Sequence, residues 1–169
     1  MRFAVVVAWL AVACAGPAAS FDGTTYRKGP VAFTLPAAPA GWTRLDVSDA
    51  SLAWRDDVNH ASILVNARCR GADQRTPLVA LTNQLVIGST ERDYESQQPE
   101  PFDGREALHT VLRAKWDGVP MKADVFVLSK DGCTYDFVYI GAPDRFDAGA
   151  PAFESFVRAF RTLPGSGLV

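Results

Sequence analysis

The sequence predicts an α+β fold: an antiparallel β-sheet of about six to eight strands in two groups, with a mid-chain helix and a C-terminal helix packed on it. Three observations carry this. Residues 106–116, 121–129 and 133–142 are strand-like runs separated by Asp117-Gly118 and Asp131-Gly132. Asp-Gly between alternating runs signals a tight hairpin, because both residues tolerate positive φ. Phe153, Phe156, Val157 and Phe160 then recur at helical spacing, with Glu154, Arg158 and Arg161 turned away. Such a stripe needs a flat apolar platform. Finally, Thr76 suits an N-cap, Pro77 the first helical position and Gly88 a stop, and they bracket the repeating Leu78, Leu81 and Leu85.

The composition fits one globular domain. The chain has 169 residues, 48% hydrophobic and 21% charged, enough apolar content to bury a core and too much for wholesale disorder. Net charge is -2, and no basic stripe interrupts it. Nucleic acid is excluded as a partner on that ground, since phosphate binding needs clustered Lys and Arg.

Residues 1–14 read as a signal peptide. Arg2 is followed by an unbroken apolar run over residues 4–13. As a helix such a run rises only about 15 Å, half the hydrocarbon thickness, so it is a leader and not a span. Its end, Leu10-Ala11-Val12-Ala13-Cys14, resembles the lipobox of bacterial lipoproteins, with Ala11 where leucine is favoured. The resemblance implies lipidation of Cys14 and a membrane anchor there. With Ala15 and Gly16 next, and no aspartate, it implies an outer-membrane lipoprotein facing the periplasm. Signal peptidase I has an alternative at Ala11-Val12-Ala13 or Ala13-Cys14-Ala15, which would leave the protein soluble in the periplasm or secreted.

The chain holds three cysteines, and an odd one in an exported protein needs an explanation. If Cys14 carries lipid, Cys69 and Cys133 are left as a possible disulfide in an oxidising compartment. On the chain-entropy model it would close a loop of roughly 65 residues and contribute about 4 kcal/mol. Two unpaired buried thiols are the alternative.

Residues 15–30, small, polar and broken by Pro and Gly, read as a flexible tether. A strand over 31–35 ends at Pro36, a turn covers 36–41, and 42–47 is a second strand. Residues 51–55 and 61–69 flank a polar hairpin tip at 56–60. In the latter strand Ala61, Ile63, Val65, Ala67 and Cys69 face the core, with Ser62, Asn66 and Arg68 opposite. After the mid-chain helix comes a short strand over 91–96, a loop over 97–101, and then the meander. In its last strand Cys133, Tyr135, Phe137 and Tyr139 share one face; Thr134, Asp136, Val138 and Ile140 share the other. The domain thus spans 31–163, with a flexible C-terminus over 164–169.

Three features together resemble the PsbP-like domain shared with DcrB-type bacterial lipoproteins. They are the Thr76-Pro77 helix after a strand pair, Gly104-Arg105 leading into the long hairpin, and an aromatic last strand followed by a Phe-rich helix. The resemblance covers about Val31 to Leu163. It implies an accessory, binding or assembly protein without a shared catalytic site, so it assigns no residues.

The residues themselves offer little chemistry. His60 falls at a hairpin tip and His109 on the more polar face of its strand beside Arg113 and Lys115; both read as ordinary exposed residues. No metal-ligand spacing, Cys-x-x-Cys, His-Glu-x-x-His or Gly-x-Ser-x-Gly occurs, so neither a metal nor a cofactor is expected. Asp56, Asp57 and Asn59 suit a turn better than a cation loop. Trp42, Trp54, Trp116, Tyr135 and Tyr139 are core or, alternatively, the lining of a cleft. The expectation is an exported envelope lipoprotein with a non-enzymatic binding, scaffolding or assembly role toward an unknown envelope protein or small ligand. A soluble small-molecule binder and an envelope hydrolase are its rivals.

Overall fold

The computed structural model describes residues 18–69 and 76–164. The elements before the mid-chain helix are β1 (Ser20–Phe21), β2 (Thr25–Lys28), β3 (Val31–Thr34), β4 (Thr43–Leu45), β5 (Leu52–Asp56) and β6 (Ala61–Cys69). Then follow α1 (Leu78–Leu85), β7 (Ser89–Phe102), β8 (Arg105–Trp116), β9 (Val119–Lys130), β10 (Cys133–Gly141), α2 (Phe146–Arg158) and β11 (Arg161–Thr162). A seven-stranded sheet runs β4-β5-β6-β10-β9-β8-β7, and a four-stranded sheet runs β1-β2-β3-β11. The predicted α+β class therefore holds.

The hairpins form where the sequence placed them. Asp117 and Gly118 have φ of 49° and 79°, and Asp131 and Gly132 have 51° and 77°, the double left-handed pair that matches strand twist. Asp103 and Gly104 repeat the device at 46° and 72°. That third turn joins β7 to β8, so the expected loop over 97–101 is instead strand. Pro99 and Pro101 are accommodated because β7 is the edge strand, where a missing N–H breaks no ladder on its outer side. Glu91 at φ 51° sits in the irregular register between Thr90 and Asp93. Together with the prolines it interrupts the row of N–H and C=O groups that a regular edge would present.

Residues 20–30 are not a tether. Phe21 packs edge-on against Trp54 with centroids 6.0 Å apart, and Tyr26 is 2% exposed and stacked on Phe33. These aromatics give β1 and β2 an apolar side, and the small sheet lays it over the larger one. The described part of the domain thus extends well before residue 31. Cys14, the leader and residues 165–169 lie outside the described residues.

Alternation gives the seven-stranded sheet two faces. The inner face carries Ile63, Val65, Phe126, Leu128, Tyr135, Phe137 and Tyr139, all fully buried beneath α2 and the small sheet. Phe153, Phe156, Val157 and Phe160 meet them as the stripe predicts, although α2 closes at Arg158 and Phe160 follows it. The helix begins earlier than its phenylalanines suggest. Gly149 is what allows this: a Cβ there would lie 2.4 Å from the Tyr139 hydroxyl, which donates to the Phe146 carbonyl at 2.9 Å.

The outer face carries Leu112, Ala114, Ala123, Val125 and Val127, and among the described residues only α1 lies on it. Pro77 occupies the N-cap of α1, so Thr76 does not cap it, and no side chain caps the helix start among the described residues. At the other end the helix stops at Leu85, short of Gly88. The Arg92 guanidinium there donates to the carbonyls of Val86 (2.6 Å), Ile87 (3.1 Å) and Ser89 (3.0 Å). This cation sits at the negative end of the helix and satisfies the C-cap carbonyl and two carbonyls of the turn that follows it.

Cys69 and Cys133 are directly opposed on β6 and β10 and form a disulfide, with Cα atoms 3.9 Å apart. The bond crosses the seam between the β4–β6 and β7–β10 meanders.

Candidate functional site

Because α1 spans eight residues, it leaves part of the outer face open. Leu64, Val138 and Ile140 on β6 and β10 are only half-buried, and with Val125, Trp116, Leu85 and Val86 they line a recess of about 300 Å³. Its polar lining is Asp49 and Asn66. The Asn66 carbonyl oxygen already accepts the Ser51 N–H at 3.1 Å, so the amide offers its NH2 edge. One donor and one carboxylate therefore border a mostly aliphatic floor, the usual character of a small-molecule pocket.

Asp136 stands directly across from Asn66 on the same face. It is 1% exposed, and neither carboxylate oxygen makes a hydrogen bond among the described residues. Arg68 approaches to 3.2 Å, which brings opposite charge without hydrogen-bond alignment. Burial pushes this carboxyl up to about 6, against the pull of Arg68.

The inner face has a different polar feature at the flank of α2. His109 is not an ordinary exposed residue. Its Nδ1 lies 2.8 Å from Glu100 and its Nε2 2.7 Å from Asp124, while the ring stacks on Phe126 at 4.0 Å. Glu100 also accepts from Arg158 at 2.7 Å. Burial opposes a charged imidazole, but the hydrogen bonds and charges of Asp124 and Glu100 outweigh it and hold the His109 pKa above its ordinary value. Burial likewise opposes ionisation of Glu100, and Arg158 and His109 override it, drawing the carboxyl down to about 2. Both ring nitrogens are committed, so the imidazole has no lone pair for a substrate proton. The carboxylates lie on opposite sides of the ring instead of converging, and no metal-holding group of His, Cys, Asp or Glu occurs among the described residues.

Further along the same flank Glu95 joins Arg113 and Lys122, and Lys130 donates to Asp103 at 2.8 Å. Tyr139, whose phenol burial pushes up to about 12, is a neutral donor within the core.

Other singled-out residues have plain roles. His60 is exposed at the hairpin tip with φ 50°. The Asp56 carboxylate accepts the N–H groups of Val58 (2.9 Å) and Asn59 (3.2 Å) and the Asn59 amide (2.6 Å), which makes it a turn brace and not a cation ligand. Trp54, Tyr135 and Tyr139 are core, and Trp42 packs on Tyr139; Trp116 alone of the five lines the recess. The His109 clamp is invisible in sequence because its partners come from two other strands, one of which reads as a loop.

No family model matches the chain, and no curated protein is similar to it in sequence. Its shape is shared with solved structures. The cyanobacterial PsbP (CyanoP) of Synechocystis superposes with a TM-score of 0.56 at 17% identity, covering 94% of this chain and 99% of that one. LpqN, involved in cell envelope biogenesis of Mycobacterium tuberculosis, gives 0.59 at 13% identity, covering 80% and 86%. A protein of Bacteroides thetaiotaomicron gives 0.55 at 11% identity, covering 78% of this chain and 45% of the longer one. At such identities the likeness concerns the fold, and the fold of this chain is PsbP-like.

Proposed function

We propose that the protein is a non-enzymatic binding module of a bacterial cell envelope, anchored by lipid at Cys14, which takes a small apolar ligand into its outer-face recess. The observation that carries this is the recess: an aliphatic pocket of about 300 Å³ with one donor and one acceptor at its lining. The fold shared with LpqN, an envelope-biogenesis protein, supports the address, as does the leader ending at Cys14. The commitment of both His109 nitrogens supports a binding role over catalysis.

The neutral dye N-phenyl-1-naphthylamine tests the recess. Saturable binding that Val138→Glu removes, while the folded baseline is kept, is the expected result. Binding indifferent to that substitution sinks the proposal, and substrate turnover abolished by a change in any pocket refutes the non-enzymatic part. Intact mass spectrometry of the protein from membranes, before and after reduction, tests the anchor. Acylation at Cys14, with Cys69 and Cys133 alkylated only after reduction, is expected. An unlipidated chain cut beyond Cys14 would make it a soluble periplasmic binder, and fractionation with inner membranes would defeat the outer-membrane address.

A further inference from the structure

A second pocket lies on the opposite side of the molecule's chemistry, where the end of α2 meets the β7–β8 turn. It has a volume of about 320 Å³ and is lined by Pro101, Phe102, Asp103, Gly104, Arg158 and Arg161. Its cations differ in how they are held. Arg158 is neutralised, donating to Glu154 at 2.9 Å and to Glu100 at 2.7 Å. Arg161 is not. Its Nη1 donates to the main-chain carbonyls of Arg158 (2.8 Å) and Phe160 (2.5 Å), and no carboxylate partners it among the described residues.

Those two carbonyls fix the guanidinium without discharging it, and leave its other N–H groups available. A guanidinium offers five donors in a rigid fork suited to two oxygens of one anion. The acidic residue in the lining does not occupy it. The Asp103 carboxylate is turned to Lys130 (2.8 Å), to the Thr162 N–H (3.0 Å) and to the Thr162 hydroxyl (2.8 Å). Beside Arg161 the pocket is lined by Asp103 and Gly104, the two central residues of the β7–β8 turn, which have no pairing partner in the strand ladder. Gly104, at φ 72° and with open space where a Cβ would be, leaves that side of the pocket free of side-chain bulk.

We infer that this pocket is a binding site for a small oxyanion group, a phosphate monoester or a carboxylate, held by the Arg161 fork. The site is independent of the apolar recess, which lies on the other face of the sheet. Arg161 is pre-positioned, so binding orders no long side chain and its entropic cost is low. The neighbouring Arg158 stays with its own two carboxylates, so the charge that meets the anion is that of Arg161.

The test is a titration of the full-length protein, isotopically labelled, with inorganic phosphate and separately with succinate at constant ionic strength. Arginine Nε–H and main-chain amide signals are the readout. The expected result is saturable shifts confined to residues 102–104 and 158–161, in the millimolar range. Arg161→Gln should weaken the binding roughly tenfold or more, as when a charge-assisted bidentate contact is lost, and Arg161→Lys should restore part of it. Arg55→Gln, at the remote hairpin tip and already paired to Asp57, should change nothing. Preference for phosphate or for succinate says which oxyanion the fork fits. Absence of saturation with both, or shifts as large at exposed Arg27 and Lys28 as at Arg161, overturns the inference.

Discussion

The two faces of the seven-stranded sheet are built from the same strands and differ in what covers them. On the inner face thirteen residues of α2 and a whole second sheet bury an aromatic layer completely. On the outer face an eight-residue helix covers β8 and β9 and leaves the β6–β10 side chains half-buried beside a carboxyl with no hydrogen bond among the described residues. The inner face is arranged for packing, and His109, Glu100, Asp124 and Arg158 at its flank are consumed in pairs. The outer face keeps apolar surface and an imperfectly compensated charge, neither of which stability alone would select.

The comparison breaks if truncation costs the two faces alike. Phe153 is fully buried, stacked on Tyr139 at 5.5 Å and tilted against Phe126 at 6.1 Å. Phe153→Ala should cost about 4 kcal/mol in urea unfolding, the transfer loss plus an uncollapsed cavity. Val138→Ala, beneath the recess, should cost about 1 kcal/mol, since its methyls already meet solvent. Equal costs would mean that the recess closes in solution.

Which parts were legible in the sequence follows the same division. Local signals were sufficient wherever one residue pair or one stripe decides the outcome: the Asp-Gly turns at 117–118 and 131–132, the phenylalanine stripe of α2, and the facing cysteines. They misled where a distant element supplies the compensation. Pro99 and Pro101 indicate a loop until β7 is known to be an edge, and residues 20–30 look like a linker until the larger sheet provides a surface for Phe21 and Tyr26. Gly88 resembles a helix stop, but Arg92 closes α1 three residues earlier. His109 appeared exposed because Glu100, Asp124 and Phe126 reach it only across strands. Likewise the recess depends on how short α1 is relative to the sheet, and alternation alone does not convey that.

A subtler way to sharpen the contrast is to make the outer face behave like the inner one. Asp136→Val replaces a buried, unbonded carboxylate with a side chain suited to a strand. Its pKa is raised to about 6 in the fold, so the folded state prefers the neutral form. The stability that neutral form gives is full below about 4, the unfolded value, and is lost as pH rises through about 6. The variant should therefore gain roughly 1–3 kcal/mol at neutral pH and much less near pH 4. Arg68 loses a partner, but it is partly solvated and that costs little. A loss of stability at neutral pH would show that the pair with Arg68 is worth more than its geometry suggests. It would also remove Asp136 from the list of features kept for function.

The clamp at the flank of α2 is informative through its pH dependence more than through its size. The His109 pKa is raised on folding, so the protonated ring's contribution is complete below about 6.5 and fades as pH climbs through the folded value. Glu100 runs the other way: its pKa falls from 4.5 to about 2, so its contribution holds above 4.5 and disappears as pH drops toward 2. The paired state therefore stabilises most between about pH 4.5 and 6.5. His109→Gln removes the charge and also the stacking on Phe126, and only the first of these titrates. Unfolding at about pH 5.5 should show a deficit near 1–2 kcal/mol that shrinks at alkaline pH, as the ring loses its proton in the fold, toward the loss from stacking alone. A deficit that is the same at both pH values would mean that the His109 pKa is not raised on folding. Glu100 would then owe its ionisation to Arg158, and β7 would be tied to α2 by that arginine and not through the imidazole.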